Sequence, residues 1–235
     1  MDDALIEIEY RPKPTAERPF LGLTVLVVED SRYASEAVRL MCLRSGARIR
    51  RADCIGSAER HLHVYRPSIA IVDLGLPDGS GLDLIARMDA MRPRVPVVLG
   101  TSGADSAVAQ AEVMQAGGDG FLEKPITSLA HFQNAIMAHL PADICARMPR
   151  PVDGGAITPD QIALREDLTH AIALLALEEP PVDYLRRFLF SLAISADDKA
   201  LAGQAAHIGA SLATPERRAL SAFLSQRVQA MAVVM

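Results

Sequence analysis

The sequence predicts an α/β fold with a doubly wound parallel sheet, followed by an all-α four-helix domain. Between residues 22 and 140, short apolar runs alternate five times with stretches whose apolar residues recur at helical spacing. Each run stops at turn residues, which is typical of strands covered on both faces of a parallel sheet. From residue 158 onward the strand signals cease and only helical periodicity remains.

Composition limits the functional classes. The 235 residues are 50% hydrophobic and allow two domains of ordinary size. A net charge of −5, with both signs mixed along the chain, argues against a dedicated nucleic-acid surface. The three cysteines have no CxxC spacing, which favours a reducing compartment. The chain begins without the features of a signal peptide, and no apolar run reaches membrane-spanning length, so we expect a cytoplasmic protein.

Changes in composition divide the chain into four segments. Residues 1–20 are expected to be an N-terminal extension, either a frayed tail or a binding arm, because prolines interrupt it. Residues 21–140 hold the alternating pattern of the α/β domain. Residues 141–157 contain three prolines and two glycines without periodicity, which predicts a linker. Residues 158–235 form the predicted helical domain.

The elements of the α/β domain follow from local signals. Thr24–Val28 is an apolar strand, Ser31 is placed to cap the next helix, and Gly46 is placed to end it. Arg48–Ala52 is a much more polar strand, as an edge position permits. The remaining predicted elements are a helix capped by Ser57, a strand from Ile69, a helix near Leu82–Met91, a strand at Val97–Leu99, a helix near Ser106–Ala116, a strand at Phe121-Leu122 and a helix over Leu129–Leu140.

The order of the strands follows from their burial. The two most apolar strands begin at Val25 and Ile69, so we expect them at the centre of the sheet. This predicts strand order 2-1-3-4-5, the flavodoxin-like arrangement, with its switch point between strands 1 and 3. Ligands bind beyond the carboxyl ends of the strands at such a point.

The C-terminal segment predicts a bundle of four amphipathic helices joined by short turns. Thr158–Gln161 has the pattern of a capping box with proline at the first helical position, and Pro180-Pro181 ends that helix. Ser195–Asp198 can cap a third helix, and Thr214-Pro215-Glu216 opens a fourth. The third helix is expected to carry an apolar stripe of Leu201, Ala205, Ile208 and Leu212.

Polar or charged side chains stand where four of the strands end. Glu29 and Asp30 end strand 1, Asp73 ends strand 3, Thr101 follows strand 4 and Lys124 ends strand 5. If these ends converge, the carboxylates repel one another and need a counter-charge, for which Mg²⁺ with its oxygen ligands is suited. Lys124 adds a fixed positive charge. Such a pocket can accept a phosphoryl group on the Asp73 carboxylate.

Four motifs of residues 22–140 together resemble the receiver domain of a two-component response regulator. They are VLVVED at 25–30, IVDLGLPDGSGLDL at 71–84, the strand-end Thr101, and FLEKP at 121–125. Their order and spacing agree with that family over about half of the chain.

The resemblance implies a metal site. Glu29 and Asp30 correspond to the acidic pair that holds Mg²⁺, with Asp30 a direct ligand. Asp73 contributes to the same site, and the backbone carbonyl of Gly75 would complete it.

The resemblance also implies the residues of phosphorylation. Asp73 corresponds to the phosphoacceptor, Lys124 to the lysine that pairs with the phosphoryl group, Thr101 to the switch hydroxyl and Phe121 to the switch aromatic. Gly100, just before Thr101, departs from the family's usual pattern.

The implied partner is a sensor histidine kinase or a histidine-phosphotransfer protein, and a homodimer is a further option. The protein would act in signalling and not as an enzyme, with its helical domain making protein contacts. Two alternatives stay open: an adaptor that works without phosphorylation, and a DNA-binding regulator with an atypical helical output. Residues 151–235 hold more acids than bases, with basic pairs at Arg186-Arg187 and Arg217-Arg218, which argues against DNA.

Small residues crowd the predicted third helix. Gly203 and Gly209 cost helix stability, which predicts close approach of another backbone inside the bundle. The segment 201–210 also weakly resembles the helix of histidine-phosphotransfer domains, but Lys199 stands where that family carries its histidine. The resemblance implies a bundle that docks against a receiver or dimerises without carrying phosphate on histidine.

Overall fold

The structure, a computed structural model, describes residues 13–103, 106–141 and 157–232. Most of the expected N-terminal extension and almost all of the expected linker lie outside the described residues. The α/β part contains β1 (Thr24–Val28), α1 (Arg32–Arg44), β2 (Arg48–Ala52), α2 (Ile55–Val64), β3 (Ile69–Asp73), β4 (Gly75–Leu76), β5 (Gly79–Ser80), α3 (Gly81–Ala90), β6 (Val97–Ser102), α4 (Ser106–Gln115), β7 (Gly120–Glu123) and α5 (Leu129–Met137). The helical part contains α6 (Gln161–Leu175), α7 (Val182–Ser195), α8 (Lys199–Ala206) and α9 (Thr214–Ala232).

Five parallel strands form the main sheet in the order β2-β1-β3-β6-β7. Strands β4 and β5 pair separately as a small antiparallel hairpin, so β6 and β7 are the fourth and fifth strands of the main sheet. The order confirms the predicted flavodoxin-like arrangement with a switch point between β1 and β3. The carboxyl ends of these two central strands therefore lie side by side.

The apolar residues of the central strands contribute to two hydrophobic cores, one on each face of the sheet. Val25 and Val27 belong to the core on one face of the sheet, whereas Leu26 and Val28 belong to the core on the other face. Alternate residues of a strand point to opposite faces, so a strand that is covered by helices on both sides is apolar throughout.

The start of α2 differs from the prediction. The helix begins at Ile55 with Cys54 as its N-cap, so the prediction that Ser57 caps it was wrong. The carboxylate of Asp78, between β4 and β5, accepts hydrogen bonds from the backbone N–H groups of Ile55 at 2.8 Å and Gly56 at 2.9 Å. This acceptor is 23 residues away along the chain, so the local pattern around Ser57 did not contain it.

Two predictions in the helical part were also wrong. Helix α6 has Asp160 as its N-cap, and its carboxylate accepts from the N–H of Ile162 at 2.9 Å, so the box at Thr158 does not start the helix. Helix α8 is capped by Asp198, as predicted, but ends at Ala206. The N–H of Ile208 bonds back to the carbonyl of Ala205, and the buried side chain of Ile208 enters the core from a loop.

The glycines of this region do not mark a close helix contact. A Cβ at Gly203 would meet nothing within 4 Å, and one at Gly209 would be 3.5 Å from the carbonyl of Ser211 in the same loop. The expected close approach of another backbone is therefore wrong at both positions. Lys199, which stands at the histidine position of the weakly similar phosphotransfer helix, is exposed at the first turn of α8.

The helical part packs directly against the α/β part. One apolar cluster joins residues of α6, α7, α8 and α9, and Tyr33 of α1 lies buried within it. Helices α6 and α7 both contact α1. Within the described ranges, no helix is long and apolar enough to cross a membrane.

The contribution of the Asp78 carboxylate to the start of α2 can be tested by mutation. Replacing it in Asp78→Ala leaves the N–H groups of Ile55 and Gly56 without their acceptor, and we expect the free energy of unfolding to fall by about 1 kcal/mol. Urea denaturation of the full chain measures it. The control is Asp83→Ala, which removes an exposed carboxylate from α3. Equal losses in the two variants would contradict the capping role.

Candidate functional site

Three carboxylates meet at the carboxyl ends of β1 and β3. Glu29 and Asp30 directly follow β1, and Asp73 is the last residue of β3. One oxygen from each lies within 4.8 Å of the others. Glu29 is 5% exposed and Asp73 is 3% exposed, while Asp30 is partly buried. Strand order places these groups together because β1 and β3 are neighbours in the sheet.

Lys124 supplies the positive charge of the cluster from the residue that follows β7. Its Nζ lies 2.7 Å from Glu29 Oε2 and 2.7 Å from Asp73 Oδ1. A third hydrogen bond runs from Nζ to the hydroxyl of Ser191 on α7, at 2.9 Å. An ammonium group has three donors, so this buried lysine is fully satisfied.

The electrostatics of the cluster favour a further cation. Burial raises the pKa of Glu29 to about 8, and the Asp73 carboxylate adds to the rise that Lys124 opposes. Burial and the Asp73 carboxylate raise the pKa of Asp30 to about 7. Burial acts to lower the pKa of Lys124, but the carboxylates of Asp73 and Glu29 outweigh it and the pKa is raised. One ammonium group therefore stands against three carboxyl groups.

Oxygen donors in this arrangement fit a hard divalent cation. Mg²⁺ is bound in proteins by one or two carboxylates, with water and phosphate oxygens completing its shell. Glu29, Asp30 and Asp73 offer such oxygens around one point, and the negative charge left when Glu29 and Asp30 lose their protons provides the attraction. Gly75 lies beside them, and its N–H donates to Asp73 Oδ2 at 2.8 Å.

The remaining predicted residues surround Asp73. Thr101 is the register partner of Asp73 on β6, and its Oγ1 is buried without a hydrogen-bond partner among the described residues. Phe121 lies on β7, half-buried against the core on one face of the sheet. A Cβ at Gly100 would overlap the side chain of Val113 on α4, so the close contact with α4 explains why glycine precedes Thr101. The structure thus gathers all the predicted site residues in one region, and their chemical roles stay predictions.

Helix α7 adds two side chains that the sequence analysis did not anticipate. The hydroxyl of Tyr184 donates to Asp30 Oδ2 at 2.7 Å. Ser191, two turns further along the helix, accepts from Lys124. Both residues lie more than 60 positions from their partners, and nothing in their local pattern marks them as site residues.

Asp167 on α6 is a third unanticipated contact. Its carboxylate accepts from Ser31 Oγ at 2.8 Å, from Arg32 N at 2.9 Å and from Tyr33 N at 3.0 Å. It is 2% exposed and accepts from the first backbone donors of α1, whose N-cap is Ser31 as predicted. A signal for it existed, because Asp167 falls on the apolar stripe of α6 beside Leu168.

A cavity of about 340 Å³ remains between α7, α4 and the cluster. Its lining includes Asp30 and Asp73 of the cluster, together with Val108, Arg187 and Phe190. It gives a molecule of a few atoms access to the Asp73 carboxylate.

The α/β part of the chain is similar in sequence to known proteins. Residues 25–136 match the family model of the response regulator receiver domain. The transcriptional regulatory protein PhoP of Escherichia coli strain K12 is 35% identical over 103 residues, which are 44% of this chain and 46% of PhoP. The virulence transcriptional regulatory protein PhoP of Salmonella typhimurium strain LT2 gives the same values. The chain thus spans less than half the length of these relatives.

About half of the chain also resembles a solved structure. The CheY-like response regulator receiver domain protein of Methanospirillum hungatei JF-1 is 20% identical, with a TM-score of 0.45. The match covers 49% of this chain and 91% of that one.

The buried ammonium group of Lys124 can be tested by its effect on stability. Lys124→Met keeps the length of the side chain but leaves Glu29 and Asp73 without their shared cation. We expect the free energy of unfolding at pH 7 to fall by about 3 kcal/mol, as when one partner of a buried ion pair is removed. Urea denaturation measures the loss.

The matched control is Lys199→Met, which removes an exposed lysine at the start of α8. Its effect should stay within about 0.5 kcal/mol. A Lys124→Met chain as stable as this control would show that the lysine does not hold the cluster together.

Proposed function

Because residues 25–136 are a response regulator receiver domain, we propose that this chain is a two-component response regulator phosphorylated on Asp73. One observation carries the proposal: the Asp73 carboxylate lies 2.7 Å from Lys124 Nζ, within an acidic cluster suited to Mg²⁺. The phosphodonor is a sensor histidine kinase or a histidine-phosphotransfer protein. The chain signals in the cytoplasm through protein contacts of its helical part, and it is not an enzyme with a substrate of its own.

The residues present can carry out the transfer. A carboxylate oxygen of Asp73 attacks phosphorus, and the bond from phosphorus to the donor's imidazole nitrogen breaks with its electrons passing to that nitrogen. Lys124 neutralises one phosphoryl oxygen, and the hydroxyl of Thr101, which has no partner among the described residues, can donate to another. When bound, Mg²⁺ supplies charge neutralisation for the phosphoryl oxygens. The product is an aspartyl phosphate.

The transfer would also alter the surface near β6 and β7. A phosphoryl group adds a charge of roughly −1.5 to −2 beside Lys124 and Thr101. We expect the segment that carries Thr101 to move toward it and Phe121 to fill the space left behind. A bias of a few kcal/mol suffices to shift a two-state element of this kind.

A second candidate is a transcriptional regulator. The relatives at 35% identity are described as transcriptional regulatory proteins, which favours this reading. The helical part argues against DNA contact, because its acids outnumber its bases. A mobility shift of duplex DNA that is sequence-specific and weakens with salt would support this candidate over protein contact.

Phosphorylation of Asp73 has a direct test. With acetyl phosphate and MgCl₂, the wild-type chain should gain one phosphoryl group, detected as a mass shift of the intact protein. Asp73→Asn should gain none, and the exposed-carboxylate control Asp83→Asn should behave as wild type. A wild-type chain that stays unmodified would favour the adaptor alternative.

Mg²⁺ binding should depend on pH. Protons on Glu29, with a pKa of about 8, and on Asp30, with a pKa of about 7, must leave before these oxygens bind a cation. Affinity therefore rises with pH below these values, by up to about tenfold per unit for each proton released, and levels off above them. Calorimetric titration with MgCl₂ between about pH 6 and about pH 9 measures this dependence. A flat profile would contradict it, and Asp30→Asn should weaken binding.

A further inference from the structure

Helix α7 lies across the pocket that contains Asp73. The hydroxyl of Tyr184 donates a hydrogen bond to Asp30 Oδ2 at 2.7 Å, and the hydroxyl of Ser191 accepts one from Lys124 Nζ at 2.9 Å. The helix also touches the end of β6, since a Cβ at Gly103 would be 3.2 Å from Ser191 Cα and 3.3 Å from Ile194 Cβ. These contacts leave no room for a second protein to lie against the pocket at this point.

Asp167 holds the same docked arrangement from α6. Its buried carboxylate accepts three hydrogen bonds at the N-terminus of α1, the helix that begins two residues after Asp30. Beside it, Glu166 forms an ion pair with Arg32 at 2.9 Å, which is exposed and contributes little. The face of α6 and α7 that carries Asp167, Tyr184 and Ser191 is therefore shaped and charged to fit the receiver around its phosphorylation site.

The residues that form hydrogen bonds with α7 are also the residues expected to bind Mg²⁺ and the phosphoryl group. Asp30 is the expected direct ligand of Mg²⁺, and its oxygen is engaged by the Tyr184 hydroxyl. Lys124 is expected to meet the phosphoryl group, and one of its donors is engaged by Ser191. A ligand that binds one of two states more tightly shifts the balance between them.

We propose that the α6–α7 face is an intramolecular cover of the receiver, whose docking competes with Mg²⁺ at Asp30 and with the phosphoryl group at Lys124. The cover blocks a protein phosphodonor when docked and frees both the pocket and its own receiver-binding face when released. The phosphoryl part of this inference rests on the proposed function, while the competition with Mg²⁺ is measurable without any phosphorylation. The cavity of about 340 Å³ still admits a small acyl phosphate to Asp73 in the docked state.

The first test removes one hydroxyl from the cover of the full chain. Tyr184→Phe keeps the ring, whose centroid lies 5.7 Å from that of Phe188, and deletes the hydrogen bond to Asp30. The dissociation constant for MgCl₂, measured by calorimetry at about pH 9 so that protons do not compete, should fall about tenfold. Tyr65→Phe is the matched control, because the Tyr65 hydroxyl is buried without a partner among the described residues, and it should not change the constant.

The second test follows the docking itself. Linkage is reciprocal, so Mg²⁺ should loosen the cover by the same factor by which the cover weakens Mg²⁺ binding. The amides of Arg32 and Tyr33, which donate to Asp167, should exchange their hydrogens faster when MgCl₂ is saturating, as measured by NMR. Asp167→Asn should speed the exchange without metal and tighten Mg²⁺ binding, whereas the control Glu178→Gln, at an exposed position after α6, should do neither.

The outcomes separate this inference from the proposed function. Unchanged exchange of these amides with MgCl₂, together with an unchanged dissociation constant in Tyr184→Phe, overturns the cover. If both respond as expected and acetyl phosphate still fails to modify Asp73, the cover stands and the proposed function falls. If acetyl phosphate modifies Asp73 but neither the dissociation constant nor the amide exchange responds, the proposed cover is wrong and the proposed function stands.

Discussion

A buried ammonium group is the interaction on which the rest of the site depends. Lys124 Nζ joins Glu29 to Asp73 with distances of 2.7 Å, and all three side chains are nearly excluded from water. Burying carboxylates without such a partner costs several kcal/mol. The two acids stand at the ends of the neighbouring strands β1 and β3, and the lysine follows the edge strand β7, so the contact requires β1, β3, β6 and β7 to be in this order. Fold and site are therefore specified by the same constraint.

The charge that Lys124 leaves uncompensated accounts for what surrounds it. A second cation, a hydroxyl donor or a proton can each stabilise Asp30, and in this structure the donor is Tyr184. These three stabilisers compete for one carboxylate. The helical part is thus coupled to the chemistry of the pocket because it supplies a hydrogen-bond donor to Asp30 directly, and no long-range relay through the protein is needed for that coupling.

Short-range physics explains which parts of the structure the sequence predicted. The bounds of β1 and β2 are those expected, because an apolar run followed by turn residues contains all that fixes a strand. The convergence of Asp73 with Glu29 followed from placing the most apolar strands at the centre. The cap of α2 by Asp78 and the contacts of Tyr184 depend on tertiary packing, which leaves no periodic trace along the chain.

The hydrogen bonds that Asp167 accepts at the start of α1 make the receiver incomplete without the helical part. A receiver cut from this protein would expose two backbone donors at the helix start, beside its acidic pair, and water would have to take the place of a buried carboxylate. Chimeras that graft this receiver onto a foreign output segment would inherit the same defect. A transplanted receiver would therefore have to keep an acceptor for these two donors, in addition to losing the contacts of Tyr184 and Ser191.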